Sequence, residues 1–234
     1  MFLRAELFQD RRDAGRLLGQ AILASGAWRD GQDGVVLGLP RGGVPVAYEV
    51  ALALHLPLDI VVVRKLGVPG FAELALGAVA ANGIVALNAE IIREFRIPED
   101  VVDAIAKEES QEVERRELAY RKGRLPEPTE GRPAILVDDG LATGASMLAA
   151  VRSIRPRARE VMVAVPVAAQ STCNDLRHEV DHLICARVPW PFYSVGSFYR
   201  NFEQTTDEEV CSLLSKASAR KGKLTGALNE MVRS

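Results

Sequence analysis

The stretch Ala134-Ile-Leu-Val-Asp138-Asp139-Gly140-Leu141-Ala142-Thr143-Gly144-Ala145-Ser146-Met147 joins an apolar run, two adjacent carboxylates and a small-residue loop. The aliphatic residues 134–137 read as a buried strand, and Ser146–Ile154 has the apolar spacing of a helix. A helix N-terminus leaves backbone N–H groups without partners at the positive end of a dipole, which suits a phosphate. Gly144 and Ala145 carry no bulk that would block such an approach, and the hydroxyls of Thr143 and Ser146 can add donors. Two carboxylates would repel a phosphate, so Asp138 and Asp139 make sense only if they face sugar hydroxyls or a Mg²⁺ ion. They stand at the carboxyl end of the strand, where open α/β sheets bind ligands.

Outward from this stretch, apolar segments alternate in type. Residues 10–27 and 44–54 have helical periodicity, whereas 35–39, 58–63 and 161–167 are short, mostly β-branched runs. Such continuous runs separated by helices describe a mainly parallel sheet buried on both faces, a doubly wound α/β fold. Residues 93–124 break the rhythm with nine acidic and eight basic side chains in 32 positions. Pairs such as Glu112–Arg116 and Glu117–Arg121 at i,i+4, with Val102, Ala106, Val113 and Tyr120 on one stripe, predict a long helix that is mostly solvated. A structural strut is favoured for it over a dimer contact or a lid support.

Composition narrows the class. The chain has 234 residues, 48% apolar, with 29 basic against 31 acidic side chains, as in a soluble globular protein. The balanced charge gives no reason to expect nucleic acid, and no apolar run is long enough for a membrane helix. The first residues lack a signal-peptide pattern, and three cysteines without Cys-x-x-Cys spacing argue against a disulfide framework, so a cytoplasmic location is expected. Cys173, His178, His182 and Cys185 fall within thirteen residues, and two Cys with two His can close a zinc site. Their spacing lacks the loop of a zinc finger, which favours a buried Cys and surface His.

The acidic pair followed by Thr143-Gly144-Ala145-Ser146 resembles the signature of type I phosphoribosyltransferases, which use phosphoribosyl pyrophosphate (PRPP). The resemblance implies that Asp138 and Asp139 hold the ribose hydroxyls, directly or through Mg²⁺, and that Ala142, Thr143, Gly144, Ala145 and Ser146 cradle the 5′-phosphate. A second element, Gly38-Leu-Pro40-Arg41-Gly42-Gly43, looks like the family's pyrophosphate loop, often strained by a cis peptide; it would contribute Arg41, Gly42 and Gly43. Arg64 and Lys65 end the 58–63 run and precede Gly67, Pro69 and Gly70, where the family has basic residues and a mobile loop closing over PRPP. The implied chemistry is transfer of the phosphoribosyl group to a nitrogen acceptor, such as a nucleobase, with release of pyrophosphate. Catalysis then rests on Mg²⁺, Asp138, Asp139, Arg64 and Lys65 rather than on a nucleophilic side chain.

The acceptor is less constrained. Hypoxanthine-guanine enzymes carry an Asp before the Thr-Gly of the loop, where this chain has Ala142. Six of the thirteen aromatic residues lie between Trp190 and Phe202, so Trp190, Phe192 and Tyr193 are candidates to stack on an acceptor; a satellite core under a loop is an equal reading. Thr206 and Glu209 form the pattern of a capping box for a helix over 208–217. The expected organisation is a phosphoribosyltransferase-like domain over 1–219, with a charged helical insert at 88–125, a hood segment at 187–205 and a loose basic tail at 220–234. A homodimer is compatible with it. Leu39-Pro-Arg-Gly-Gly-Val-Pro-Val-Ala and Val63-Arg-Lys-Leu-Gly also resemble uncharacterised bacterial phosphoribosyltransferase-like proteins, some fused to hydrolase domains. Two rivals remain: a regulator that binds PRPP without turnover, and a phosphohydrolase or receiver-like protein using the acidic pair for Mg²⁺.

Overall fold

The computed structural model describes residues 7–29, 31–80 and 84–233. Its strands are β1 (Val35–Gly38), β2 (Leu58–Ile60), β3 (Val63–Val68), β4 (Phe71–Ala80), β5 (Ile84–Leu87), β6 (Pro133–Val137), β7 (Glu160–Val167) and β8 (His182–Arg187). Helices α1 (Arg11–Ala24), α2 (Gly43–Ala53), α3 (Ala89–Glu94), α4 (Glu99–Arg121), α5 (Ala145–Ile154), α6 (Gln170–Leu176) and α7 (Asp207–Arg233) connect and flank them. Five strands form a parallel sheet in the order β2-β1-β6-β7-β8, and β3-β4-β5 form a separate antiparallel sheet.

The parallel sheet is buried on both faces, as the apolar runs predict, with every residue of β1 and β6 inaccessible. One face packs against α1 and α2 through residues such as Leu18, Ile22, Val46 and Val50. The other packs against α5 through Met147, Ala150, Val151 and Ile154. Each of the Val, Leu, Ile and Met side chains among them contributes about 1.5–3 kcal/mol when removed from water.

That distribution fixes where a ligand can sit. The crossover from β1 runs through α2 to β2 on one side, and the crossover from β6 runs through α5 to β7 on the other. The strand order therefore reverses between β1 and β6, and a crevice opens outside their carboxyl ends. Gly38 of β1 is in register with Val137 of β6, so the loops that follow leave the sheet side by side.

Three expectations change. The run 58–63 is not one strand: β2 ends at Ile60, and the chain continues into β3 of the second sheet. Residues expected to form a flexible loop after Lys65 instead complete β3, turn at Gly70 (φ +79°) and return as β4. The apolar content of 63–68 and 74–80 drives this hairpin, with Leu66, Val68, Leu76, Ala78, Val79 and Ala80 buried. The tail also differs, because α7 carries on to Arg233 where a loose segment is expected from 220. Residues 221–233 include Lys, Leu, Ala, Glu and Met, all strong helix formers.

Within the charged insert, α4 has the expected stripe: Val102, Val113 and Tyr120 are buried. Glu112–Arg116 and Glu117–Arg121 pair at 2.6 and 3.1 Å. The helix also reaches inward, since Arg121 pairs with the buried Asp59 at the end of the parallel sheet (3.2 Å).

Candidate functional site

Asp138 and Asp139 lie immediately beyond β6, on the switch-point side of the sheet. Glycines of the neighbouring loop press directly on them. A Cβ added at Gly42 would stand 2.1 Å from Oδ2 of Asp139, and one at Gly43 would stand 2.9 Å from Cα of Asp138. The backbone of residues 42–43 is thus in contact with the acidic pair, a closeness that only glycine allows. The peptide between Pro40 and Arg41 is cis.

Both carboxyls are pushed upward. Burial, and then the charge of Asp139, hold Asp138 well above the ordinary carboxylate range. Burial also raises Asp139, opposed by the hydrogen bond and charge of Arg11. Arg11 donates from Nε to Oδ2 of Asp139 at 2.8 Å and from Nη1 to the carbonyl of Glu203 at 2.6 Å, while its guanidinium lies 3.9 Å from the centre of the Phe202 ring. Asp138 Oδ1 accepts the amide of Asp139 at 2.8 Å. Tyr199 donates its hydroxyl to the carbonyl of Asp139 at 2.6 Å. Burial pushes that phenol far up, so it remains a donor at any working pH.

The loop that follows is pinned at its base and open at its tip. The amide of Leu141 bonds the carbonyl of Val167 at 2.9 Å, and the amide of Ala169 bonds the carbonyl of Leu141 at 3.0 Å. Thr172 of α6 donates its hydroxyl to the carbonyl of Ala142. Ala142 and Thr143 are exposed, and Ala145 and Ser146 are half-buried. Gly144 has φ +72°, and a Cβ there would lie 2.6 Å from Cγ2 of Thr172, so both conformation and space require glycine.

The helices opening from the two loops share one property. Gly144 caps α5 and Gly42 caps α2, neither end has a side-chain cap, and neither first turn contains an acid. At α2 the amides of Gly43 and Val44 already bond the carbonyls of Leu39 and Arg41 (3.0 and 3.2 Å), whereas the first amides of α5, at the positive end of its dipole, are left to a ligand. Beside Arg11 a polar cavity of about 320 Å³ lies between the starts of α1 and α2 and the segment 201–206.

The structure brings together most of the residues expected from sequence, but not all. Residues 42–43, 138–139 and the loop 142–146 converge on one crevice. Arg41 turns its guanidinium to Asp207 at the start of α7 (3.7 Å). Arg64 and Lys65, adjacent on β3, necessarily point to opposite sides. Arg64 bonds Glu109 of α4 through Nε and Nη2 (2.6 and 3.2 Å), whereas Lys65 borders a cavity of about 120 Å³ with Ala145 and Leu148 of α5.

The aromatic segment divides. Phe8, Tyr199 and the half-buried Phe192 and Phe198 form a small core with Val167, in which Phe192 stacks on Phe198 at 5.5 Å. Trp190 and Tyr193 are 91% and 82% exposed. Of the Cys/His group, the Sγ atoms of Cys173 and Cys185 lie 3.2 Å apart, and His182 pairs with Glu160 on the neighbouring strand. Among the described residues no cluster of three or more His, Cys, Asp or Glu is arranged to hold a metal.

Three contributors escape sequence reasoning: Arg11, Thr172 and the hydroxyl of Tyr199. Arg11 lies 128 residues from Asp139, and no local pattern signals that partnership. Thr172 and Tyr199 reach backbone carbonyls, which no residue pattern encodes.

Comparison with known proteins agrees with this geometry. Residues 70–196 match the family model of the phosphoribosyl transferase domain. A Mycobacterium tuberculosis protein named "Putative phosphoribosyl transferase Rv0571c" is 44% identical over 213 residues, covering 91% of this chain and 47% of that protein. The chain therefore spans about half the length of the curated relatives it matches. The crystal structure of TT1426 from Thermus thermophilus is 40% identical and superposes with a TM-score of 0.78, covering 89% of this chain and 97% of the other. No helix of the described residues is long and apolar enough to cross a membrane. With the acidic pair, the glycine loops and more than half of its length matching, the chain belongs to the phosphoribosyl transferase domain family.

Proposed function

We propose that this chain transfers the phosphoribosyl group of PRPP to a small nitrogen acceptor, with Mg²⁺, and releases pyrophosphate. The observation that carries the reading is the contact of Gly42 and Gly43 with Asp139 and Asp138 beside the uncapped N-terminus of α5. Such a crevice offers amides for phosphate groups on either side and carboxylates for the sugar between them. Ala142 to Ser146 would receive the 5′-phosphate and the amides of 41 and 42 the pyrophosphate, that of Gly43 being bonded to the carbonyl of Leu39.

The donor set suits Mg²⁺, a hard cation that uses one or two carboxylates, waters and substrate phosphates. Asp139 commits Oδ2 to Arg11, and Asp138 commits Oδ1 to a backbone amide, which leaves an oxygen on each for the ion or the ribose hydroxyls. Bound there, the ion would neutralise charge on the departing pyrophosphate.

The chain's own residues supply positioning. Arg11 and Tyr199 hold Asp139 from its side chain and its carbonyl, fixing the ribose relative to the phosphate loop. In the reaction the bond from the anomeric carbon to pyrophosphate oxygen breaks and a bond to the acceptor nitrogen forms, that nitrogen losing its proton. Lys65, on the side of α5, is placed to stabilise negative charge near the phosphate loop. The open faces of Trp190 and Tyr193 are available to stack on an acceptor. A nucleobase is the acceptor class that such faces favour.

One observation favours the regulator reading as second choice. Arg41 and Arg64, expected at the pyrophosphate, are paired with Asp207 and Glu109. Pyrophosphate release from PRPP and Mg²⁺ with a panel of nucleobases and amines separates the two. Acceptor-dependent release is expected for the transferase. Tight PRPP binding without release across the panel would replace it with the regulator, and no binding would remove both.

A further inference from the structure

The transferase reading leaves two thiols unused. Cys173 on α6 and Cys185 on β8 have their Sγ atoms 3.2 Å apart, so little further approach is needed for a covalent bond. Their accessibility is unequal: Cys173 is 2% exposed, whereas Cys185 is only half-buried on β8, one of the two edge strands of the parallel sheet. An attacking reagent can thus reach one thiol while the other waits behind it. Cys211, the third cysteine, is buried elsewhere against the carbonyl of Ala119.

The position of the pair gives it consequence. Cys173 follows Thr172, whose hydroxyl holds the carbonyl of Ala142 and whose methyl packs under Gly144. Helix α6 has only seven residues, and Thr172, Cys173 and Leu176 are its buried anchors. Leu176 also lies beneath Gly144. The floor of the phosphate loop is therefore a short helix, and a covalent tie to β8 would hold that floor in place.

We infer that Cys173 and Cys185 are a modification site, a dithiol that closes reversibly to a disulfide tying α6 to β8 beneath the phosphate loop. The oxidant is a low-molecular-weight disulfide. The Cys185 thiolate attacks it, forming a mixed disulfide and releasing one small thiolate. The Cys173 thiolate then attacks Sγ of Cys185, closing the bond and expelling the second small thiolate. Two protein thiols are oxidised, one small disulfide is reduced to two thiols, and the two protons pass to the departing thiolates. Burial and the neighbouring Cys173 push the Cys185 thiol upward, while Arg177 opposes them, so the thiolate is scarce near neutrality and closure is slow there, quickening as pH rises.

The test uses the full chain treated with oxidised glutathione at pH 8.5, with intact mass and peptide mapping. Arg177 lies between the two cysteines, so trypsin leaves their peptides joined only by the disulfide. A mass lower by two hydrogens, a 173–185 cross-link, an unmodified Cys211 and full reversal by a reductant are expected. Absence of that cross-link, or a stable glutathione adduct on Cys185 in its place, overturns the site.

The coupling to the loop is read by amide hydrogen exchange over 141–147, which does not depend on the PRPP reading. Exchange should slow about threefold or more on oxidation, because local opening of α6 is restrained. It should stay unchanged in Cys185→Ser treated identically. Unchanged or faster exchange in the oxidised wild type would sink the coupling while leaving the transferase reading untouched.

Discussion

Helices α1 and α7 begin in one way, and α2 and α5 in another. Asp10 accepts the amide of Asp13 at 2.8 Å, and Thr206 accepts the amide of Glu209 at 3.1 Å. Both helices also carry acids in the first turn. Helices α2 and α5 start at glycines, with no side-chain cap and no acid. A glycine in place of such a cap gives up only a few tenths of a kcal/mol, so leaving two helix starts without a side-chain cap costs a little stability at each. The bare ends are those that flank the acidic pair. The contrast teaches that the crevice is held in a slightly less stable form, in which the amides at the start of α5 are left for a ligand to complete.

The acidic pair is the deepest such cost and gives the largest expected effect. Asp138→Asn should lower pyrophosphate release by about a hundredfold or more, the scale on which one positioned polar group acts. The same substitution should raise the melting temperature. Both carboxyls sit above their unfolded values, so the folded state holds extra protons and loses stability as pH climbs from the unfolded to the folded value. Asparagine removes that loss, and each kcal/mol recovered is worth roughly 2–4 °C at this size. Near-wild-type release, or a melting temperature that falls at pH 8, would break the comparison at its centre.

Gly42→Ala strikes the contact between the loops. A Cβ 2.1 Å from Oδ2 of Asp139 and 3.3 Å from Nε of Arg11 would have to push the Asp139 carboxylate off the guanidinium that holds it. The strain should cost about 1–3 kcal/mol, read as a lower denaturation midpoint, together with loss of PRPP binding. Alanine tolerated with unchanged binding would show that residues 42–43 are an ordinary turn.

A smaller effect follows from the protons on the pair. Binding PRPP with Mg²⁺ should ionise the raised carboxyls and release protons to the buffer, so affinity should increase with pH until the pair is charged. Calorimetry in two buffers of different ionisation enthalpy measures this. Identical heats would mean that the pair is already ionised in the free protein.

Much of this site is legible in sequence because it is local. Residues 134–147 carry strand, acid pair, loop and helix start within fourteen positions, and periods of 2 and 3.6 announce the flanking elements. The pyrophosphate loop is legible for the same reason. What stays hidden is long-range. Arg11 reads as one of several charges at the chain start, and Tyr199 as one aromatic among six. The antiparallel sheet is hidden differently, since β2 and β3 adjoin with two buried valines between them and read as one run. With that hairpin misplaced, Arg64 and Lys65 appear as a pair at a strand end, although alternation on β3 sends one to Glu109 and the other toward α5.

The gentlest test exchanges the two kinds of helix start. Thr206→Ala removes the cap of α7 and should cost about 0.5–2 kcal/mol without changing the affinity for PRPP. Ala145→Asp adds an acid to the bare first turn of α5. It should stabilise the free protein by about 0.3–1 kcal/mol, since negative charge is favourable at a helix N-terminus. It should also weaken PRPP binding, because the new carboxylate occupies the field left for the phosphate. Denaturation midpoints and binding isotherms read both variants. Opposite signs on stability and affinity in Ala145→Asp, beside a change in stability alone in Thr206→Ala, are what the bare ends require. A gain in both properties at Ala145 would mean that α5 begins bare for some reason other than an anion.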